Sequence, residues 1–295
     1  MSKPLVSVLT PTYNRRRFIP YLIDCFKKQN YPQNRLEWII FDDGTDKVGD
    51  LFEKSGLKNV RYYSEDIKLN IGAKRNKLNE MAKGDICVCM DDDDYYPPER
   101  VEHVVTKLLA NPKYMICGST ELYMYYSDNT EIYRIGPYNQ NHATNGTMGY
   151  RSSYFKNHKY DEYVTHAEET SFLNAYKEPM LQLDPFKVML VISHSDNTFD
   201  KRTLRKQTNP MFKLTTLKIH DFIKDAKLCE FYGMNTYNLP VELPTNIVLG
   251  LPPSAPRLWE PAIVEVKPEP IVVSVFAEPA KTEDTSVLSV HIKDV

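Results

Sequence analysis

The sequence predicts an α/β fold built on a mainly parallel sheet flanked by helices on both faces. Three observations lead there. Short β-branched runs alternate with segments of helical periodicity, as in βαβ units. The strand segments are apolar at nearly every position, which is the pattern of strands buried on both faces. Polar stretches follow the first, second and fourth of these strands, and in such sheets ligands bind beyond the carboxyl ends.

The elements follow in order. Val6 to Thr10 (VSVLT) reads as a strand, stopped by Pro11, and Phe18 to Gln29 as a helix with Ile19, Leu22, Ile23 and Phe26 at helical spacing. Leu36 to Phe41 is a second strand, Asp46 to Lys54 a short helix, and Val60 to Tyr63 a third strand. Ile71 to Lys83 is a helix closed by Gly84, and Asp85 to Met90 (DICVCM) a fourth buried strand. A helix from Arg100 (RVEHVVTKLLA) and a strand at YMICGST continue the theme; Glu121 to Arg134 reads as a polar, tyrosine-rich hairpin. A mixed region runs to about Asn197, and Pro210 to Tyr232 contains a further amphipathic helix with Phe212, Leu217, Phe222 and Ile223. Nine of the 20 prolines lie between Pro240 and Pro279, so residues 240–295 read as a Pro-rich extension beyond a folded domain of residues 1–239. No internal repeats are evident.

Composition narrows the function classes. A chain of 295 residues is long enough to bury a full core. A net charge of −2 argues against a general nucleic-acid or anionic-membrane binder, which needs a basic face. The five cysteines are odd in number, and Cys87 and Cys89 are too close along one strand for an ordinary bridge. They read as reduced core thiols. The start, MSKPLVSVLTPTYN, lacks the apolar segment of a signal peptide, and no apolar run reaches membrane-spanning length. A cytoplasmic protein without a transmembrane segment is expected. Asn145-Gly146-Thr147 matches the N-glycosylation triplet, a pattern common by chance and of little meaning without a secretory signal.

The three strand-end stretches are Pro11 to Asn14, Asp42 to Thr45 and Asp91 to Asp94. Four consecutive aspartates repel one another unless a cation sits among them, so CVCMDDDDYYPPER is either a solvated acidic turn or a cation site. FDDGT is not a haloacid-dehalogenase nucleophile loop, because Phe41 stands where the nucleophilic aspartate belongs. Nor do the aspartates suit a prenyl-diphosphate site, which needs a helical face, since they follow a strand and precede Pro97-Pro98. A nucleotide site fits better. Asp43 can accept from a base or ribose, Tyr13 offers a ring face, and a divalent ion held by the 91–94 run can bridge a diphosphate. No Gly-rich phosphate loop is present, which leaves phosphate binding to metal and to side chains such as Lys74 and Arg75; those two are otherwise the solvated first turn of a helix.

VSVLTPTYNR, WIIFDDGT, NIGAKRN and GDICVCMDDDDYYPPE, in that order over Val6 to Glu99, resemble the signatures of family 2 glycosyltransferases. The resemblance implies a GT-A-like, Rossmann-type fold, with residues 1–99 as the nucleotide-binding half and 100–239 as a mixed acceptor-side half. It implies inverting transfer of a sugar from a nucleotide-diphosphate donor, a UDP-sugar being favoured, to a glycan, protein or lipid-linked acceptor. Pro11, Thr12, Tyr13 and Asp43 match the family's nucleoside-holding positions, and Arg75, with Lys74 beside it, the basic position near the ribose or diphosphate. The family's DxD motif maps onto Asp91-Asp92-Asp93, with Asp93 as ligand for Mn2+ or Mg2+ and Asp91 or Asp92 toward the ribose; four aspartates in a row leave the register open by one. HAEETSFLNAY resembles the family's acidic segment, with Glu169 at the general-base position and Glu168 as its alternative; the family more often has Asp there, so Glu lengthens the arm. VISHSDNT places His194 where a family histidine contacts metal or diphosphate; a lone histidine at a strand end is otherwise an ordinary solvated or satisfied residue. In MGYRSSYF and beyond, Tyr150, Tyr154 and Tyr160 are candidates to stack on an acceptor sugar.

Two other classes compete. An inactive module of the same fold would bind nucleotide or carbohydrate, or serve as a scaffold. A nucleotidyltransferase would need a glycine-rich basic loop after the first strand, and TPTYNRRR has no glycine.

Overall fold

The computed structural model describes residues 3–165, 167–206 and 209–238. The expected Pro-rich extension at 240–295 lies outside the described residues. The strands are β1 (Val6–Thr12), β2 (Leu36–Asp42), β3 (Val60–Ser64), β4 (Ile86–Cys89), β5 (Ile116–Gly118), β6 (Leu122–Tyr126), β7 (Glu131–Ile135), β8 (Gly149–Arg151), β9 (Met180–Gln182), β10 (Leu190–Ser193) and β11 (Phe212–Leu214). The helices are α1 (Ile19–Lys27), α2 (Gly49–Lys54), α3 (Ile71–Met81), α4 (Arg100–Ala110), α5 (Ser152–Phe155), α6 (Glu169–Phe172), α7 (Arg202–Arg205), α8 (Ile219–Phe222) and α9 (Ala226–Gly233).

One seven-stranded sheet has the order β3-β2-β1-β4-β8-β5-β9, and a four-stranded sheet the order β10-β6-β7-β11. From β3 to β4 every pairing is parallel, while β8 runs antiparallel to both its neighbours. Strands β1, β2 and β4 are buried on both faces, which explains their largely apolar runs, while β3 at the sheet edge is half-buried. Val6, Val8, Trp38, Ile40 and Val88 point to the face covered by α1, α2 and α4; Leu9, Ile39, Phe41, Cys87 and Cys89 point to the face covered by α3 and the 148–176 segment. Phe26 of α1 stacks on Trp38 with centroids 4.4 Å apart. Each large side chain so buried contributes about 1.5–3 kcal/mol. All five cysteines are free, and four are buried. No helix among the described residues is long and apolar enough to cross a membrane.

The structure departs from the sequence reading at five places. β1 runs through Pro11, which pairs in register with Phe41. The Leu9 carbonyl accepts from Met90 N, so Leu9 and Pro11 face β4, and β4 has ended by that level; the missing N–H of Pro11 costs no ladder bond. α2 begins at Gly49 instead of Asp46, because the Asp42 carboxylate takes the N–H groups of Gly44 and Val48 and holds the intervening chain as a loop. α3 ends at Met81, and Gly84 is no helix cap: a Cβ there would lie 2.5 Å from Ser7 N, so glycine serves close backbone approach. The 121–134 hairpin is not polar in its packing, since all of β6 is buried, with Tyr123, Tyr125 and Tyr126 in the core. The helix expected to carry Phe212, Leu217, Phe222 and Ile223 is instead β11 followed by the short α8, with α9 beyond them. Phe212 pairs with Ile135 as a sheet edge, and Asp225 caps α9 by accepting from Leu228 N.

Candidate active site

The carboxyl ends of β1, β2 and β4 meet at one side of the sheet, beside a cavity of about 930 Å3. Asn14, in the left-handed region at φ 54°, accepts from Asp46 N at 3.0 Å, which ties the β1 and β2 loops together. Gly44 makes this possible, because a Cβ there would stand 2.7 Å from Asn14 N. Pro11 and Thr12 are buried in β1, and Tyr13 is the first residue of that loop on the cavity wall. The ammonium groups of Lys68 and Lys74 lie 4.2 and 5.5 Å from the Tyr13 ring centroid. Asp43 is fully engaged: Oδ1 pairs with Lys74 Nζ at 2.6 Å and Oδ2 accepts from Leu69 N at 2.7 Å. It thus fixes the turn that leads into α3.

α3 is unusual in burying its polar side chains, among them Lys74, Arg75, Asn76 and Asn79. Arg75 is the hub. Its Nε donates to Glu168 Oε1 at 2.7 Å and its Nη1 to Asp91 Oδ1 at 2.9 Å. Asn145 stands against the same guanidinium, with its amide oxygen facing Arg75 Nη1 at 2.7 Å and its nitrogen donating to the Tyr160 hydroxyl. Buried in this way, Asn145 is no glycan acceptor. Asn76 exchanges hydrogen bonds with the backbone of Tyr160, and Gly72 admits that segment, since a Cβ would fall 1.9 Å from Asp161 O.

The four aspartates are kept apart by their partners. Asp91 is paired with Arg75. Asp93 Oδ2 accepts from Arg15 Nε at 3.2 Å and His194 Nε2 at 3.1 Å. Burial works against the Asp93 charge, but the His194 hydrogen bond and the charges of Lys201 and Arg15 hold its carboxyl well below the usual range. Asp92 and Asp94 go the other way, both pushed up chiefly by burial, with the charge of Asp93 adding to it. Asp94 accepts from Ile192 N at 2.8 Å and so anchors β10; Asp92 is buried beside Arg15. Of the four, Asp91, Asp93 and Asp94 reach the cavity wall.

Glu168 and Glu169 sit at the start of α6, after Ala167 in the left-handed region at φ 54°. Both line the cavity. Glu168 is committed to Arg75, whereas the Glu169 carboxyl is pushed up to about 7, first by burial and then by the charge of Glu168. His194 is buried against Phe18, 4.4 Å between centroids, and Asn197 beside it donates to Asp93 at 3.4 Å. Tyr150, Tyr154 and Tyr160 do not face the cavity. They are core residues around Phe172, at most 2 % exposed, and their hydroxyls bond Asn79, the Phe172 carbonyl and Asn145; none can stack on a sugar. Sequence reasoning missed Arg15, Lys68, Asn145, Asn197 and Lys201, all on the cavity wall. The basic run RRR after TPTYN was the one available signal for Arg15.

Among the described residues no three His, Cys, Asp or Glu side chains are grouped to enclose an ion. Asp93, however, presents carboxylate oxygens, which Mn2+ or Mg2+ accepts, and His194 adjoins with Nε2 donating to that carboxylate. Such a carboxylate suits a cation that completes its coordination with ligand oxygens.

The glycosyl transferase family 2 model matches residues 7–167, more than half of the chain and ending one residue before Glu168. A putative teichuronic acid biosynthesis glycosyltransferase of Bacillus subtilis is 35% identical over 103 residues, which are 34% of this chain and 40% of that protein. A poly(ribitol-phosphate) β-N-acetylglucosaminyltransferase of Staphylococcus aureus is 30% identical over 100 residues, 32% of this chain and 17% of that one. The matched stretch is thus less than half the length of either relative. An uncharacterized glycosyltransferase of Methanocaldococcus jannaschii is 23% identical over 277 residues, covering 84% of this chain and 92% of the relative. Among solved structures, a mannosyltransferase of Pyrobaculum calidifontis in complex with GDP-Man and Mn2+ superposes with a TM-score of 0.55 at 15% identity, over 70% of this chain and 61% of that one. That likeness concerns the fold, which is of the GT-A type. The family match spans all three strand-end loops, and the chain belongs to glycosyl transferase family 2.

Proposed function

We propose that the chain transfers a hexosyl or N-acetylhexosaminyl group from a nucleotide-diphosphate donor, a UDP-sugar by preference, to an acceptor hydroxyl with inversion at the anomeric carbon. The observation that carries this reading is the division between neighbouring glutamates: Glu168 is tied to Arg75, while Glu169 faces the cavity with its carboxyl raised to about 7. A group with that affinity for protons is matched to accept one at neutral pH. Glu169 takes the proton of the acceptor hydroxyl as its oxygen bonds to the anomeric carbon; the bond to the diphosphate breaks, and the nucleoside diphosphate leaves with the electron pair.

Tyr13 offers its ring face to the base, and Asp43 and Lys74 fix the loop around the nucleoside. Lys68, Arg15 and Lys201 supply positive charge along the donor side. Asp93, with His194 beside it, would hold Mn2+ or Mg2+, and when bound that ion stabilises the charge on the leaving diphosphate. Asp91 orients Arg75 and through it Glu168. The mannosyltransferase neighbour, which binds GDP-Man and Mn2+, supports donor class and metal alike. We take residues 1–239 as the catalytic unit, and the five free thiols agree with work in the cytoplasm.

A thermal-shift panel of nucleotides and nucleotide-sugars with and without Mn2+, followed by assay of nucleotide release, tests the reading. Metal-dependent stabilisation by UDP and turnover of one donor are expected. Stabilisation with no turnover of any donor would make the chain a binding module instead.

A further inference from the structure

On the wall of the same cavity stand two aromatic rings, with a third packed behind them, for which the reaction scheme above has no use. Tyr138 and His142 have centroids 4.5 Å apart at 41°, and His142 and Tyr176 lie 4.9 Å apart at 24°. Tyr138 and His142 line the cavity together with Glu169. Tyr138 is 43 % exposed, in contrast to the buried tyrosines 150, 154 and 160.

The row is held in place from both ends. Gly136, at φ 87°, turns the chain where a Cβ would come 2.3 Å from Thr120 O, and Tyr138 N then donates to Thr120 Oγ1 at 2.9 Å. Gln182 Nε2 donates to the carbonyls of Gln140 and His142, at 2.8 and 3.2 Å, and pins the intervening loop. At the other end Asn174, Ala175 and Tyr176 all have positive φ, between 49 and 60°, a run that L-residues adopt only at a cost. This left-handed turn follows α6 directly and closes through Ala175 N onto Thr170 O at 2.8 Å. The Tyr176 hydroxyl meets Thr170 Oγ1 at 3.0 Å, so the last ring of the row is tied to the residue next to Glu169. Strain is retained where the surroundings over-determine it, and here it fixes a ring relative to the proposed base.

We propose that Tyr138, His142 and Tyr176 form a stacking platform for the acceptor, and that the acceptor is a carbohydrate whose terminal pyranose lies against the exposed Tyr138 face. A pyranose presents one apolar face of C–H groups and a rim of hydroxyls, which matches a flat, preorganised aromatic face beside a polar cavity. One hydroxyl of the rim would then point to Glu169. The inference deepens the proposed transfer reaction and rests on it for the role of Glu169, but the platform can be tested separately.

Saturation-transfer NMR on the full chain, with methyl glycosides of glucose, galactose, mannose and N-acetylglucosamine as probes, in the presence of UDP and diamagnetic Mg2+, is the experiment. At least one glycoside is expected to receive saturation on the protons of a single ring face. Tyr138→Ala should weaken that binding about tenfold or more, and Tyr138→Phe should retain it. Tyr138 is exposed enough for both variants to fold, which unchanged thermal unfolding would confirm. The platform is overturned if no glycoside binds the wild type, or if Tyr138→Ala binds as well as the wild type. Absence of UDP signals from the same samples, with glycoside signals present, would remove the donor assignment and leave the platform standing.

Discussion

Glu168 and Glu169 are adjacent in the chain and differ in their company, one on Arg75 and the other at the cavity with its carboxyl raised to about 7. A base must be unprotonated, so kcat should rise with pH through about 7 and fall below it. Glu169→Gln should remove that limb and lower kcat by about 10²–10⁴-fold while sparing UDP binding, measured by calorimetry beside a pH–rate profile. The same shift bears on stability. The folded protein holds this proton more tightly than the unfolded chain, so the contribution of Glu169 to stability declines as pH rises from the ordinary 4.5 toward 7. Arg75→Met would leave the carboxylates of Glu168 and Asp91 without their cation, and urea unfolding should show a loss of about 3–5 kcal/mol. Arg75→Lys should rescue little, because one ammonium cannot bridge both. The glutamate pair and the aspartate run were legible as local patterns. Their partners were not: Arg75 and Glu168 are 93 residues apart, Arg15 and Asp93 78, and only the folded chain brings them together.

At the level of elements, α3 explains why NIGAKRN carries so much of the site. Its buried face is polar because it must hold Asp43 through Lys74, the glutamate through Arg75, and the backbone of Tyr160 through Asn76. Gly72→Ala should push the 160–163 segment off the helix, at a cost of about 1–3 kcal/mol, and displace the chain leading to Glu168. A lowered midpoint of thermal unfolding together with reduced turnover would bear this out; an unchanged midpoint would show that the segment is not seated on Gly72. Strands β1, β2 and β4 were readable because burial on both faces leaves a largely apolar run, whose few polar members, such as Ser7 and Glu37, bond one another. Residues 212–232 misled for the opposite reason. Apolar residues there serve a sheet edge at Phe212 and two short helices, so their spacing belongs to no single period.

Across the whole molecule, the parallel strands β3-β2-β1-β4 bring three loops to one edge, and the mixed strands and second sheet supply the rest of the cavity wall, with β10 anchored by Asp94. The convergence of loops followed from topology alone. The cavity's other wall did not: the β6–β7 hairpin is local, but its pairing with β10 on one side and β11 on the other has no local signature. Metal removal acts at this scale: a chelator should abolish stabilisation by UDP, and Asp93→Ala should make the protein insensitive to Mn2+ in the same thermal scan. The most direct test of the account is the anomalous signal of manganese in crystals soaked with Mn2+ and UDP. The account predicts one metal peak beside Asp93, in contact with the diphosphate, with Arg15 turned away from that carboxylate. A nucleotide bound elsewhere, or an Asp93 that keeps Arg15 and His194 with no metal nearby, would contradict it.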